Sequence, residues 1–331
     1  MWTSYDCAYE ITISPAFPLP AKMLKKTLLA LLISCSASAS ALALPFGSRH
    51  ALVIDEDSGQ VLLEKDAHAM VPIASLTKLM TAMVVLDAKP DMDAVISIDE
   101  SDVDTLKNSS SRVPVGAHLP RGEVLELALM SSDNRAAAAL ARTYPGGRAA
   151  FIAAVREKLD ALDMHNTSIE EPTGLSPHNR STAADLAKMA EAASHYPEIA
   201  RITTTTEDLI EMNGRPVRYH NTNRLVGRKG WDVLLSKTGF TNEAGRCLIM
   251  RVESAGKHVI LVLLNAQANA ARMLDAENIQ RFLSGQPALA AHAAAHVAAH
   301  RAKPRYKARR RGVVLAKSKG GAKARGKRPA V

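Results

Sequence analysis

Ser75 and Lys78 stand three residues apart at the head of an apolar run, ASLTKLMTAMVVLDA. Residues three apart are neighbours on a helix surface, so a helix here brings the hydroxyl and the amine together. Serine is also a favoured helix N-cap, which gives Ser75 a plain structural use. The surrounding pattern fits that use badly. A capping box wants Glu or Gln three residues on, and Lys78 stands there instead. A lysine in the first turn also faces the positive end of the helix dipole. Lys78 shares a narrow polar sector with Thr77 and Thr81 on an otherwise apolar helix. An amine held there loses water, and desolvation lowers its pKa. A neutral amine beside a serine hydroxyl takes its proton and leaves an activated nucleophile.

Two further triplets supply what such a nucleophile needs. Ser132-Asp133-Asn134 interrupts the stretch VLELALMSSDNRAAAALA, and Lys237-Thr238-Gly239 lies within LLSKTGFT. Each is short and recurs by chance; the three in this order and context carry the reading. Ser75 attacks a carbonyl and Lys78 is its general base. Ser132 relays a proton to the leaving nitrogen. Asn134 bonds a substrate backbone and holds Lys78. Lys237 attracts a substrate carboxylate and disfavours a second ammonium at Lys78, and Thr238 adds a hydrogen bond to that carboxylate. Gly239 lets a substrate backbone approach the strand closely. The backbone N–H groups of Ser75 and Phe240 are the expected oxyanion donors. This chemistry calls for no metal and no other cofactor.

A helix start, a helical break and a strand must therefore meet. From His50 to Lys65, two apolar runs flank Asp57-Ser58-Gly59, which predicts a β-hairpin. The helix from Ser75 ends before Lys89-Pro90, and residues 91–122 are loop-rich. Helical patterns occupy residues 124–141 on both sides of the polar break, 149–162, and 182–194 after an Asn-Arg-Ser-Thr start signal. Trp231–Phe240, Arg246–Val252 and His258–Leu264 are β-rich, and a last helix runs from about Ala271 to Leu283. Strands at both ends with helices between them predict an α+β fold: an antiparallel sheet flanked by helices, plus a helical subdomain. The irregular alternation excludes a doubly wound parallel sheet.

The three motifs together resemble the signature of the β-lactamases and penicillin-binding proteins. Over residues 48–284 the chain resembles the low-molecular-mass penicillin-binding proteins, the D-alanyl-D-alanine peptidases of serine peptidase family S11. VIDEDSGQVLLEKDAHAMVPIASLTKLMTA, EEPTGLSPHNRSTAADLAKMA and KTGFTNEAGRCLIM carry that resemblance. It implies a β-lactamase/transpeptidase-like fold, an acyl-enzyme at Ser75, peptidoglycan stem peptides as substrate, and acylation by β-lactam antibiotics. Within the family the chain looks most like D-alanyl-D-alanine endopeptidases, which cut D-Ala–diamino acid cross-links. A carboxypeptidase releasing terminal D-Ala is the alternative, since either leaving group offers Lys237 the same anion. The basic tail occupies the place of the second β-domain expected in larger carboxypeptidases. The class A β-lactamase pattern E-x-x-L-N is absent around Glu170 and Glu171, so slow deacylation is expected. A catalytically decayed wall-binding protein is disfavoured because every motif residue is intact.

The chain has 331 residues, 47% of them hydrophobic, enough for a sizeable core. Its net charge of +9 is uneven: residues 301–331 hold 13 Lys plus Arg and no acid, leaving 9 − 13 = −4 for residues 1–300. Met23-Leu24-Lys25-Lys26, an apolar run to Ile33 and Ala41-Leu42-Ala43 predict an export signal starting at Met23 and delivery to the periplasm. Residues 1–22 then read as an upstream extension. A lipoprotein processed at Cys35 is the alternative. The expected division is 1–43 extension and signal, 44–285 catalytic domain, and 286–331 a disordered Ala/His then Lys/Arg tail. His292, His296 and His300 recur every four residues, but a solvated low-complexity tail is the simpler reading. The tail's charge suits an anionic wall polymer or membrane surface, and an exported chain is not expected to meet nucleic acid. Of Cys7, Cys35 and Cys247, the last reads as a small buried hydrophobe.

Overall fold

The computed structural model describes residues 46–289. The export segment, the Cys35 alternative, and the tail from residue 290 with its three histidines lie outside that range. The chain opens with the hairpin β1 (His50–Asp55) and β2 (Val61–Lys65), followed by β3 (Val71–Pro72), a 3-10 turn at Ala74–Leu76 and helix α1 (Thr77–Asp87). Strands β4 (Val95–Ser97) and β5 (His118–Pro120) pair across the loop-rich stretch. Helices α2 (Arg121–Leu129), α3 (Asn134–Arg142) and α4 (Gly147–Ala161) follow, then β6 (Arg180–Ser181), α5 (Ala183–Ser194) and α6 (Pro197–Thr204). A hairpin, β7 (Glu207–Met212) and β8 (Arg215–His220), precedes the three long strands β9 (Asp232–Thr241), β10 (Gly245–Ser254) and β11 (Lys257–Ala266). Helix α7 (Asn269–Leu283) closes the fold.

The main sheet has the order β2-β1-β11-β10-β9 and is antiparallel throughout. His50 lies opposite Leu264, so the two ends of the described chain are zipped together at its centre. Side chains alternate along these strands with period two. Leu52, Ile249, Ile260, Val262 and Leu264 enter the core shared with the helices. Ala51, Val53, Leu248, Met250, Leu261 and Leu263 face the other way, against Ala276 and Ile279 of α7. The predicted α+β architecture, with its antiparallel sheet covered by helices, is the observed one.

Helix α1 is buried on every side from Thr77 to Val85. A helix that is apolar all round belongs in a core, and each buried Leu, Met or Val side chain contributes about 1.5–3 kcal/mol of transfer energy. The helix carrying Lys78 is thus fixed by its own packing. Helix α5 starts where its sequence signal placed it, with the Thr182 side chain accepting from Asp185 N.

Sequence reasoning did not foresee α6 or the β7–β8 hairpin. Glu207, Asp208, Glu211, Arg215 and Arg218 break the apolar pattern of the hairpin, of which only Ile210, Met212 and Tyr219 are buried. The legible signal was its turn: Asn213 and Gly214 hold φ +51° and +76°, the positive pair that a two-residue hairpin loop requires.

Candidate active site

Helix α1 opens at Thr77, and its N-cap is Leu76, without any side-chain cap. Ser75 sits in the 3-10 turn just before it, so the N-cap use of this serine is not realised. The turn is strained. Ala74 holds φ +48°, a left-handed conformation that costs a non-glycine residue about 1–3 kcal/mol. Two glycines clamp it. Gly174 has φ +85°, and a Cβ there would stand 1.9 Å from Ala74 O. On the other side, a Cβ on Gly239 of β9 would come 3.0 Å from Ile73 O and 3.2 Å from Ser75 N. The close approach at Gly239 is therefore to the chain's own backbone, a use of this glycine that the sequence did not disclose. It also places the strand bearing Lys237, Thr238 and Phe240 directly against the Ser75 turn.

Lys78 is 1% exposed. Its Nζ lies 2.9 Å from Ser75 Oγ, 2.7 Å from Asn134 Oδ1 and 2.7 Å from Thr173 O. The last two are carbonyl oxygens and only accept. A neutral amine has two N–H groups and one lone pair. With both N–H groups given to the carbonyls, the lone pair is left facing the Ser75 hydroxyl. Burial drives the amine down to about 8, while the charges of Glu171, Asp133 and Asp104 resist the shift.

The polar break between α2 and α3 divides its work. Asp133 caps α3 by accepting from Ala136 N at 3.0 Å. Ser132 holds φ +61°, which turns its hydroxyl to accept from Lys237 Nζ at 2.8 Å. Asn134 bonds Lys78 through Oδ1 and donates through Nδ2 to Ser109 Oγ at 2.8 Å. Lys237 also donates to Thr238 O at 3.1 Å. Burial, then the charges of Lys78 and Arg272, hold its amine well below the ordinary lysine value. The hydroxyl of Thr238 meets that of Thr222 at 2.7 Å, and Thr222 N donates to Met130 O. Phe240 is about half exposed, with the Arg246 guanidinium 3.7 Å above its ring. Strand β9 is at the sheet edge, so one side of this segment has no neighbouring strand.

All eight residues singled out from the sequence thus gather around one turn. Two further residues matter here: Glu171, noted in the sequence only for lacking the E-x-x-L-N context, and Arg272, which the sequence did not mark. Glu171 folds the 171–176 loop: its carboxylate accepts from the amides of Thr173, Gly174 and Ser176, and from Asn179 Nδ2. That loop delivers Thr173 O to Lys78. Arg272 of α7 is buried, donating to Cys247 O and Asn269 Oδ1, with its Nε unpartnered. Every hydrogen-bond partner of Lys78, Lys237 and Arg272 is a neutral oxygen. Buried basic groups with no carboxylate partner favour an incoming anion.

Comparison with known proteins places this arrangement. The family model described as D-alanyl-D-alanine carboxypeptidase, peptidase S11, matches residues 36–268. A D-alanyl-D-alanine endopeptidase of Pseudomonas aeruginosa is 45% identical over 249 residues, 75% of this chain and 80% of that protein. One from Escherichia coli is 41% identical over 265 residues, 79% of this chain and 86% of that protein. A D-alanyl-D-alanine carboxypeptidase of Bacillus subtilis is 30% identical over 69% of this chain. Among solved structures, the Streptomyces K15 DD-transpeptidase superposes with a TM-score of 0.68 at 28% identity, covering 73% of this chain and 98% of that one. The predicted transpeptidase-like fold is thus the observed one, and the chain belongs to the S11 family of D-alanyl-D-alanine peptidases.

Proposed function

We propose that this S11 hydrolase is a serine D-alanyl-D-alanine endopeptidase that opens peptidoglycan cross-links through an acyl-enzyme on Ser75. One observation carries the mechanism: Lys78 Nζ reaches Ser75 Oγ while its two other partners are obligate acceptors. In the neutral state the amine therefore presents its lone pair to the hydroxyl. Ser75 Oγ attacks the carbonyl carbon of the D-Ala joined to the diamino acid as its proton passes to Lys78. The oxyanion is held by the N–H groups of Ser75 and Phe240, on the two backbones that Gly239 allows to touch. The C–N bond then breaks, and the leaving nitrogen receives a proton through Ser132, whose hydroxyl already bonds Lys237. Water hydrolyses the ester by the reverse route.

Substrate lies along the open edge of β9. Asn134 bonds its backbone, and Lys237 and Thr238 receive the carboxylate beside the leaving amine. Arg272, whose charge already acts on Lys237, strengthens the field for that anion. A β-lactam places its own carboxylate and strained amide at the same points. Deacylation of such an adduct is slow in this reading, because Glu171 spends its oxygens on loop amides and does not serve as a water-activating base.

The choice of endopeptidase follows the names of relatives at 41–45% identity. The family description and more distant relatives keep carboxypeptidase as the second reading. Digestion of purified cross-linked muropeptides separates them. Endopeptidase action converts dimers to monomers with little free D-Ala. A carboxypeptidase releases D-Ala from pentapeptides and leaves dimers intact.

Residues 44–285 form the catalytic unit in this reading, exported to the periplasm where its substrate is. Among the described residues, no helix is long and apolar enough to cross a membrane. The cationic tail then holds the enzyme near anionic wall polymer or lipid.

A further inference from the structure

The segment from Asp104 to Ser111 joins β4 and β5 by way of the site, and the proposed mechanism leaves it unused. Its fold is centred on one carboxylate. Asp104 Oδ1 accepts from Leu106 N at 2.8 Å and Lys107 N at 3.0 Å, and Oδ2 accepts from Ser109 N at 2.7 Å. Asn108, at φ +51°, turns the chain tightly enough for all three amides to converge. The loop is tied at three further points. Ser111 Oγ donates to Asp133 Oδ2 at 2.7 Å. Lys107 forms an ion pair with Glu243, in the turn between β9 and β10. Ser109 Oγ accepts from Asn134 Nδ2 at 2.8 Å. One short loop therefore spans from the α2–α3 break to the far end of β9, the two sides of the Ser75 turn.

The direction of the bonds matters. A carboxylate only accepts, so Asp104 takes the Ser109 amide. The Ser109 hydroxyl oxygen accepts from Asn134 Nδ2, and Asn134 Oδ1 is turned toward Lys78. The chain Lys78–Asn134–Ser109–Asp104 has a single sense throughout. If the Asn134 amide rotated by half a turn, its NH2 group would face Lys78 and the amine would lose an acceptor.

We propose that Ser109 is a positioning residue for the peptidase reaction, fixing the Asn134 amide and through it the Lys78 amine, and that Asp104 is the anchor that folds its loop. The inference rests on the acyl-enzyme reading above and adds residues that none of the three sequence motifs contains. Asp104 also acts on Lys78 by charge, its carboxylate favouring the ammonium form.

The test measures acylation by a fluorescent penicillin in the full chain, as a second-order rate across pH, with thermal stability alongside. Ser109→Ala is expected to slow acylation roughly tenfold with Tm within about 3 °C of wild type. Ser109→Thr, which keeps the hydroxyl, is expected to recover most of that loss. Asp104→Asn removes a negative charge near Lys78, so the midpoint of its rate–pH curve moves to lower pH, which loop disorder alone would not do. Ser109→Ala acylating as fast as wild type, Ser109→Thr as slow as Ser109→Ala, or an unmoved Asp104→Asn midpoint overturns the proposal while the acyl-enzyme reading stands. A wild-type chain that takes no label overturns both.

Discussion

Lys78→Met acylates with penicillin roughly a thousandfold more slowly than wild type, the loss expected when a positioned general base is removed. Methionine fills the stem of the lysine site and lacks its amine. The carbonyls of Asn134 and Thr173 lose a donor, a penalty of about 1–3 kcal/mol per buried group, offset in part because a desolvated amine is also removed. Thermal melting should therefore fall by only a few degrees while acylation nearly stops. Lys78→Arg is expected to be just as slow, since a guanidinium stays charged and offers no lone pair. The wild-type pH profile carries the same information. The reactive form is the neutral amine, whose burial brings it to about 8. Raising pH through 8 deprotonates it, so the acylation rate climbs with pH and levels above that point. At pH 7 about a tenth of the protein is in the reactive form, and at pH 6 about a hundredth. A rate that stays flat from pH 6 to 9, or Lys78→Arg with wild-type activity, would contradict the assignment of Lys78 as base.

Gly174→Ala should lose both stability and acylation although glycine has no chemistry. A Cβ at this position would stand 1.9 Å from Ala74 O, and the backbone is at φ +85°. The obstacle is backbone, so the 171–176 loop and the Ser75 turn must move apart. Strain of that kind falls among the largest single-residue effects, about 3–5 kcal/mol, or a Tm lower by roughly 10 °C for a domain of this size. The displaced loop also withdraws Thr173 O from Lys78, so acylation falls by at least roughly tenfold in the fraction that stays folded. Differential scanning fluorimetry and penicillin labelling on the same samples check both parts. Gly59→Ala is the comparison. Gly59 also has positive φ, but a Cβ there meets nothing within 4 Å, so only the left-handed backbone cost of about 1–2 kcal/mol applies.

The contrast between these residues explains what could be read from the sequence. Chemistry concentrated in short local spacings was legible: Ser75 and Lys78 one turn apart, Ser132 and Asn134 in a helical break, Lys237 to Gly239 on a strand. Period-two and helical patterning gave the sheet and most of its covering helices, because those segments are buried and their apolar residues repeat. Contacts made by common polar residues across long sequence distances left no mark. Ser109 meets Asn134 across 25 residues, Thr173 O meets Lys78 across 95, and Thr222 meets Thr238 across 16. Arg272 lies in the last helix with no local signal to mark it, although it is 6% exposed. Gly174 sat in a Pro-Thr-Gly turn where any loop would place a glycine, and only the approach of Ala74 makes it irreplaceable. The β7–β8 hairpin was hidden by its charges, which face solvent on both sides of a single buried row.

The most direct measurement is intact-mass and peptide-mapping spectrometry of the purified chain after brief exposure to benzylpenicillin. The expected result is one covalent adduct per chain, on the peptide containing Ser75, absent from Ser75→Ala and persisting for many minutes after excess drug is removed. No adduct, an adduct on another residue, or an adduct hydrolysed as fast as it forms would contradict a slow-deacylating serine D,D-peptidase built on Ser75 and Lys78.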